Sequence, residues 1–578
     1  MKDPAPLPTP IARYLASFMR VVPRYRDLFG QSATFNQLME IVRSYPVFAW
    51  LSFLSRLQTL LGPPRETDIE RHRAAFAGLI GPNVRKRLVD FENSHPLHGS
   101  CLTFVEPQIA ALQQLAILYA PQKAESDFVT EHDFDQLATA LLIVWELMHL
   151  EPRPKDPEGV GSALAQAVLR NSFEATPALA CRAYHAYGIG DTTLSEAAAA
   201  LHTHFKTAAG VSLADYILGG LTLLLLEETQ SPAEIAAGWT PRAPAGPQKD
   251  PLIGDSVEAF CTVRCAPLDR LRAEAQRRDG DRPVHEFSLI ALSRFPVVEF
   301  PEQGRFILSV ARIATALFEG VRHAIQTVRL EGDNRVPSIA ETGKIFGSVF
   351  EEYVQRILAD AFGDRLTPLP RSQTAKRADG IVEYPDRLIV YEIKSKHAPV
   401  VGRLGPRTTE ERMREIECLG VPEAAEQLAA TISELRRGDL NELLGRQYDW
   451  TSTPIIPVII TADTVPLVWN MWAQLQGLTR PISELPMQDQ IARVRFLDIE
   501  DAERLPELVQ VTDVARLFLE WANHEETFER PLLRHLNVAE IQYGNAYLRR
   551  RYEPVMRRLA DRHGLDATKL DFSHDGAS

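Results

Sequence analysis

The stretch "ADGIVEYPDRLIVYEIKSK", residues 378–396, predicts a β-hairpin with an acid in each arm. Apolar residues fill both arms, and "YPDR" supplies the turn, because proline suits its first central position and aspartate its second. If Tyr384 and Arg387 face each other, the register places Asp379 directly opposite Glu392. Directly opposed side chains lie on one face of a sheet, about 5 Å apart. The hairpin therefore predicts two carboxylates that could share one cation.

A lysine follows the second acid and extends the same face. Lys394 and Lys396 lie two and four residues beyond Glu392, and side chains alternate along a strand. The apolar run at 388–393 is typical of a strand covered on both faces, so charges at its end need partners or a metal. A structural ion pair with Asp379 is the alternative, and a register slip of one residue would separate the two acids.

An amphipathic helix is predicted immediately upstream, at "IAETGKIFGSVFEEYVQRILADAF" (339–362). Gly343, Gly347 and Glu351 recur at four-residue spacing and therefore follow one face of this helix. The glycines would allow another element or a phosphate backbone to approach closely. Glu351 is the acid predicted to serve the site, whereas Glu352 is predicted to be solvated.

The rest of the chain changes character near residue 335. Before it, apolar residues at three- and four-residue spacing predict helices, with a Pro- and Gly-rich linker at 240–255. After it, strand-like runs alternate with helices, which indicates an α/β layer. The prediction is a multidomain chain with four consecutive regions: helical (1–240), linker and mixed strand and helix (241–334), α/β (335–480), and a C-terminal strand plus helices (481–578).

Composition excludes several classes of protein. A chain of 578 residues is too long for one core, and its apolar content of 45% is that of a globular protein. The longest apolar run, at 217–226, is too short to span a bilayer, and the N-terminus has no signal-peptide pattern. Five scattered cysteines are typical of a reducing cytoplasm, so a cytoplasmic protein without membrane contact is expected. The net charge of −13 leaves room only for a local basic groove.

The order of these elements resembles the PD-(D/E)xK nuclease superfamily, which has the restriction-endonuclease-like fold. The resemblance covers about residues 335–470 and rests on a helix with "FGSVFEEYV", strands with "ADG" and "YEIKSK", a helix with "AEQL", and a strand with "PVIITAD". One position departs from the family pattern: Ala378 precedes Asp379, where the pattern has proline. The resemblance implies an α/β nuclease domain at 335–480, between the large helical region and a small helical C-terminal tail.

The resemblance implies a metal site with oxygen ligands. Asp379 and Glu392 would hold Mg²⁺, with Mn²⁺ as an alternative, and the Ile393 carbonyl would complete the protein ligands. Glu351 would support a metal-bound water or a second ion. Members of the superfamily that have lost cleavage make an inactive domain the alternative.

Two further side chains take roles by resemblance. Lys394 would orient or deprotonate the attacking water and stabilise negative charge, and the sequence does not choose between these roles. Gln427 matches a glutamine that faces this kind of site, and an exposed helix residue is the alternative.

Basic residues surround the predicted site and could contact phosphates without reading sequence. Those assigned to nucleic-acid binding are Lys376, Arg377, Lys396, Arg403 and Arg407, with Arg365 and Arg371 nearby. The tail adds "YLRRRYEPVMRRLADRHG" (547–564), which a solvated helix face would also explain. Its Tyr547 and Tyr552 could stack on bases or anchor the helix.

These predictions favour a metal-dependent nuclease that cleaves DNA in preference to RNA, in bacterial restriction, anti-phage defence or repair. The helical region would position DNA, a protein partner or a second copy of the chain. An inactive nucleic-acid-binding module and an assembly scaffold are the alternatives. The sequence has no "GxxxxGK[ST]" motif, so any ATP-driven translocation would come from another protein.

Overall fold

The structure is a computed structural model. In it the protein folds into two compact units. One unit comprises residues 1–152 and 222–316, and the other comprises 153–221 and 317–578. The structure describes residues 24–61, 80–94, 106–122, 131–148, 176–228, 242–243, 251–284, 287, 289–330, 332–370, 376–396, 416–445, 453–462, 477–486, 490–523 and 546–563. The units do not follow consecutive blocks of sequence, and the predicted boundaries at 240, 334 and 480 stay predictions.

Helices dominate the described residues, which also form two small mixed sheets. The helices are α1 (Tyr25–Phe29), α2 (Phe35–Ser44), α3 (Val47–Leu61), α4 (Pro82–Ser94), α5 (Glu106–Tyr119), α6 (Glu131–Met148), α7 (Thr176–Ala186), α8 (Glu196–Ala209), α9 (Leu213–Glu228), α10 (Pro251–Arg264), α11 (Leu268–Asp279), α12 (Ile290–Arg294), α13 (Val310–Leu330), α14 (Ile339–Phe362), α15 (Val421–Arg437), α16 (Asn441–Leu444), α17 (Arg480–Ser483), α18 (Ile499–Val511), α19 (Val514–Asn523) and α20 (Ala546–His563). The strands are β1 (Arg242–Ala243), β2 (Cys265–Pro267), β3 (Val297–Phe300), β4 (Gly304–Ile307), β5 (Leu366–Pro368), β6 (Gly380–Glu383), β7 (Leu388–Lys394), β8 (Ile455–Thr461) and β9 (Arg495–Asp498). Within these ranges no single helix is long and apolar enough to cross a membrane, and α8 with residues 213–226 meets that test only as a bent pair.

The first unit contains a sheet with strand order β1-β4-β3-β2 and the helices α1–α6 and α10–α12. Three buried glutamines of α5 donate hydrogen bonds from their side-chain amides within the core of this unit. They donate to Leu141 O, Leu308 O and Asp279 Oδ2, so each of these buried amide nitrogens has an acceptor. The linker predicted at 240–255 contains β1 and the start of α10.

The second unit is built on a sheet with strand order β5-β6-β7-β8-β9. Strands β5, β6 and β7 are antiparallel, whereas β8 and β9 continue parallel to β7. Strand β9 lies beyond the predicted boundary at 480, although it belongs to the same sheet as the hairpin. Helices α14 and α15 and strands β6–β9 match segments that the sequence marked as helix or strand, whereas β5 was not predicted.

Helices α14 and α15 cover opposite faces of this sheet. Leu388 and Val390 pack into an apolar cluster with α15, whereas the hydroxyl of Tyr391 donates to Gln355 of α14. Successive side chains of a strand point to opposite faces, so these contacts place the two helices on either side of β7. Glu392 and Lys394 share the face of Leu388 and therefore lie on the side of α15.

Local sequence signals fix the ends of both helices. Ser338 and Glu341 form a reciprocal capping box at the start of α14. Helix α15 starts after Gly420 and ends before Gly438, and both glycines have left-handed backbone angles that favour glycine. A Cβ atom at Gly420 would also lie 3.3 Å from Lys394 Cδ, so the glycine lets the end of β7 approach α15.

Gly380→Ala is expected to destabilise the second unit. Gly380 lies opposite Tyr391, and a Cβ atom there would overlap the Tyr391 hydroxyl and ring. Overpacking of this kind costs about 1–3 kcal/mol, and displacement of Tyr391 would also weaken its bond to Gln355. Urea denaturation measures the loss. Gly343→Ala in α14 is the control because open space surrounds that position, and an equal loss in both variants would contradict the prediction.

Candidate active site

The hairpin follows the predicted register from the turn to Gly380, and Asp379 and Glu392 lie just beyond that part. Tyr384 N donates to Arg387 O across the turn, and Gly380 pairs with Tyr391 in the register. Asp379 N also donates to Tyr391 O, at 3.1 Å, although Tyr391 is already the partner of Gly380, so the ladder bulges at Asp379. The side chains of Asp379 and Glu392 nevertheless contact each other, although Asp379 is not the direct cross-strand partner of Glu392.

Asp379 is held by the backbone of the opposite strand. Its Oδ2 accepts a hydrogen bond from Ile393 N at 2.7 Å. Burial raises the pKa of Asp379 to about 6, and the charge of Glu351 acts in the same direction, against the Ile393 amide and Lys394. Because the N–H and C=O of a strand residue point to the same side, the Ile393 carbonyl is directed towards the strand that carries Asp379.

Glu392 is buried, with 2% of its surface exposed. Its Oε1 accepts from Lys394 Nζ at 2.7 Å, whereas its buried Oε2 has no N–H or hydroxyl donor among the residues that the structure describes. The carboxyl groups of Glu392 and Asp379 lie within hydrogen-bonding reach, so the two can share one proton. Burial raises the pKa of Glu392 to about 8, and the Asp379 carboxyl adds to the rise. A buried carboxylate oxygen without a donor is costly, and a proton or a cation would satisfy it.

This donor set fits a hard divalent cation. Two carboxyl groups with raised pKa values and a backbone carbonyl supply oxygen ligands, and Mg²⁺ is commonly held by one or two carboxylates together with water. Glu351, on α14, is half-buried and close enough to raise the pKa of Asp379. Within the described ranges, however, no three carboxylate, histidine or cysteine side chains converge as a metal-binding group.

Gln427 links the lysine to the backbone that precedes Asp379. Its Oε1 accepts from Lys394 Nζ at 2.5 Å, and its Nε2 donates to Arg377 O at 3.1 Å. Both ends of the amide are therefore occupied, and the Lys394 ammonium is fixed between Gln427 and Glu392. This geometry differs from the exposed helix residue that the sequence left open as an alternative.

Sequence reasoning missed Thr431, one turn beyond Gln427 on α15. This buried hydroxyl accepts from Ala378 N at 2.7 Å, directly before Asp379. Glu434, a further turn along, pairs with Arg377 at 2.6 Å. The four-residue spacing from Gln427 was the available signal, because such residues share one helix face.

The basic residues predicted around the site are already paired with acids of α15. Lys376, Arg377 and Lys396 contact Glu426, Glu434 and Glu423, respectively. Arg365 lies over the Tyr384 ring, with its guanidinium carbon 5.0 Å from the ring centroid. The predicted contacts Arg403 and Arg407 lie outside the described residues, as does Arg371.

The tail helix α20 is packed through its tyrosines. Tyr547 and Tyr552 are buried, with 2% and 4% of their surfaces exposed, so they anchor the helix and do not present rings for base stacking. Arg551 lies over the Tyr547 ring and pairs with Asp360 of α14. Of the two alternatives that the sequence left open, their burial favours anchoring of the helix.

No protein-family model, curated protein sequence or solved structure matches this chain. The geometry around Asp379 and Glu392 is therefore the basis for assigning a function.

Proposed function

We propose that this chain is a nuclease that hydrolyses phosphodiester bonds of nucleic acid, DNA in preference to RNA, in a divalent-cation-dependent reaction. Asp379, Glu392 and Lys394 form the site. The resemblance to PD-(D/E)xK nucleases supports the proposal, because the helix, the hairpin, α15 and β8 follow one another in the expected order. The helical region would then position DNA or a protein partner, in restriction, anti-phage defence or repair.

One observation carries the proposal: the buried Oε2 of Glu392 has no N–H or hydroxyl donor in the described residues and lies beside a second raised-pKa carboxyl group. A purely structural ion pair would satisfy both oxygens of the carboxylate with donors. Here one oxygen is bound by Lys394 and the other is left for a proton or a cation. Such strongly perturbed pairs are concentrated at functional sites.

Each residue of the site would have a separate role in hydrolysis. Asp379 and Glu392 would hold Mg²⁺, with Ile393 supplying its carbonyl oxygen. When bound, the cation would neutralise phosphate charge and make a bound water more acidic. Lys394, fixed by Gln427, would orient the attacking water and stabilise charge on the phosphate. Thr431 and Gln427 would keep the backbone before Asp379 in position.

Asp379→Asn and Lys394→Met are expected to reduce cleavage by about 10²–10⁴-fold, the range for a positioned acid–base or charge-stabilising group. Labelled single- and double-stranded DNA and RNA would be incubated with the protein in Mg²⁺, Mn²⁺ or EDTA. Asp386→Asn is the matched control, since this exposed aspartate lies in the turn of the same hairpin. Metal-dependent cutting that survives in both site variants would place the chemistry elsewhere.

The alternative is an inactive nucleic-acid-binding module. The closed arrangement of Lys394 between Glu392 and Gln427 favours it, because the lysine already has two partners. That module would bind nucleic acid without turnover and without taking up Mg²⁺ at Glu392. Calorimetric titration of Mg²⁺ into the wild type and the Asp379→Asn variant separates the two readings independently of cleavage.

A further inference from the structure

Two exposed lysines beside the proposed site are held by acids from a single helix. Lys396 Nζ lies 3.0 Å from Glu423 Oε2, and Lys376 Nζ lies 2.5 Å from Glu426 Oε2. The acids are three residues apart on α15 and so belong to neighbouring positions on its surface. One helix therefore neutralises both lysines, which come from opposite arms of the hairpin region.

These pairs differ from the third pair on the same helix. The side chains of Lys376 and Lys396 are 70% and 49% exposed, and those of their acids 48% and 61%. Arg377 and Glu434 are only 25% and 11% exposed, and they hold the backbone before Asp379. Exposed pairs are weak and exchange readily with other ions, whereas the Arg377 pair is part of the packed structure.

The lysines converge on the end of α15 that lies beside Lys394. A Cβ atom at Gly420 would lie within 3.5 Å of Lys396 Nζ and 3.3 Å of Lys394 Cδ. Lys396 lowers the pKa of Glu423 most, and the charges of Lys394 and Lys376 act in the same direction. Glu423 therefore lies within the field of three ammonium groups, where a phosphate would also be attracted.

We propose that Glu423 and Glu426 are intramolecular competitors of the phosphate backbone, holding Lys396 and Lys376 until a nucleic acid strand displaces them. The inference rests on the nucleic-acid binding of the proposed function. Carboxylate and phosphate oxygens make the same charge-assisted contact with an ammonium group, so either can occupy it. After displacement, the two acids stay close to the strand and weaken its binding.

Glu423→Gln and Glu426→Gln are expected to tighten binding of a labelled DNA oligonucleotide, each by about two- to five-fold, the equilibrium effect of an exposed ion pair. Fluorescence anisotropy in EDTA measures the dissociation constant at several salt concentrations. The salt dependence should steepen with each substitution, because no displaced glutamate then takes up a cation that offsets those released from the phosphates. Glu442→Gln in α16 removes the same charge from an exposed position and is the control.

A double-mutant cycle tests whether the gain in DNA affinity of the Glu423→Gln variant depends on Lys396. In a Lys396→Gln background, Glu423→Gln should give less than half of the gain it gives in the wild type, since coupling is confined to residues in contact. Unchanged or weaker binding in both Glu→Gln variants would overturn the inference, as would an equal gain from Glu442→Gln. A failure of the proposed nuclease function would give a different result: the Glu→Gln variants would bind DNA more tightly, but the wild type would not cleave it in Mg²⁺.

Discussion

Glu392→Gln is expected to stabilise the metal-free protein above pH 8 and to abolish metal-dependent cleavage. The pKa of Glu392 is about 8 in the folded protein and near 4.5 when the chain is unfolded. Between these values the folded state binds more protons, so the free energy of unfolding falls as the pH rises. Glutamine removes this penalty, because it presents a neutral group of the same shape in the buried position.

The size of the effect follows from the pKa difference. One pKa unit corresponds to about 1.4 kcal/mol, so the stability difference should reach a few kcal/mol at pH 9 and nearly vanish at pH 5. The raised pKa already includes the attraction of Lys394, which acts in the opposite direction. Loss of that ion pair therefore does not reverse the expected sign.

Urea denaturation in EDTA at pH 5 and pH 9 measures this difference, with Glu442→Gln as the control. Mg²⁺ provides a second readout without any substrate. At a hundred times its dissociation constant it should stabilise the wild type by about 2.7 kcal/mol and leave the Glu392→Gln variant unchanged. A variant that is destabilised equally at both pH values would show that Glu392 is a structural ion-pair partner of Lys394.

Arg182→Met is expected to destabilise the second unit by about 3–5 kcal/mol. Arg182 of α7 and Glu503 of α18 form a two-pronged pair at 2.7 and 2.8 Å, with side chains 2% and 0% exposed. Tyr353 of α14 donates to the same carboxylate at 2.8 Å. Removal of the guanidinium would leave a buried carboxylate without its cation.

The matched control is Arg356→Met, which breaks a surface pair with Asp191 and should cost about 0–1 kcal/mol. The double variant Arg182→Met/Glu503→Gln should recover most of the lost stability, because no buried charge remains. Chemical denaturation of all four proteins gives the comparison. Equal losses for the Arg182 and Arg356 variants would mean that the buried pair contributes no more than an exposed one.

Local chemistry explains which parts of the fold were predictable from sequence. The register of the hairpin follows from a two-residue turn, since the turn residues and the two-residue period of a strand leave one pairing. Helix α14 was predicted at its observed bounds from the helical period of its apolar residues, and the reciprocal cap of Ser338 and Glu341 marks its start. These local rules predicted the pairing up to Gly380 but not the bulge that places Asp379 opposite Tyr391.

The partners of the basic residues were not predictable in this way. Lys376 and Glu426 are 50 residues apart in sequence, and Lys396 and Glu423 are 27 apart. Their pairing depends on how α15 lies on the sheet, which is decided by the apolar cluster and not by any local signal. The contact of Thr431 with Ala378 could not be predicted for the same reason, although its four-residue spacing from Gln427 places both on one helix face.

The link between Arg182 and Glu503 also governs when the second unit can form during synthesis. The two residues are 321 positions apart, so at about 5–20 residues per second a ribosome makes Glu503 roughly 15–60 s after Arg182. Cys181, which neighbours Arg182 on α7, contacts the still later Leu548 O of α20. Helix α7 is therefore synthesised well before its partners α18 and α20. The second unit cannot complete its core before α20 has been synthesised.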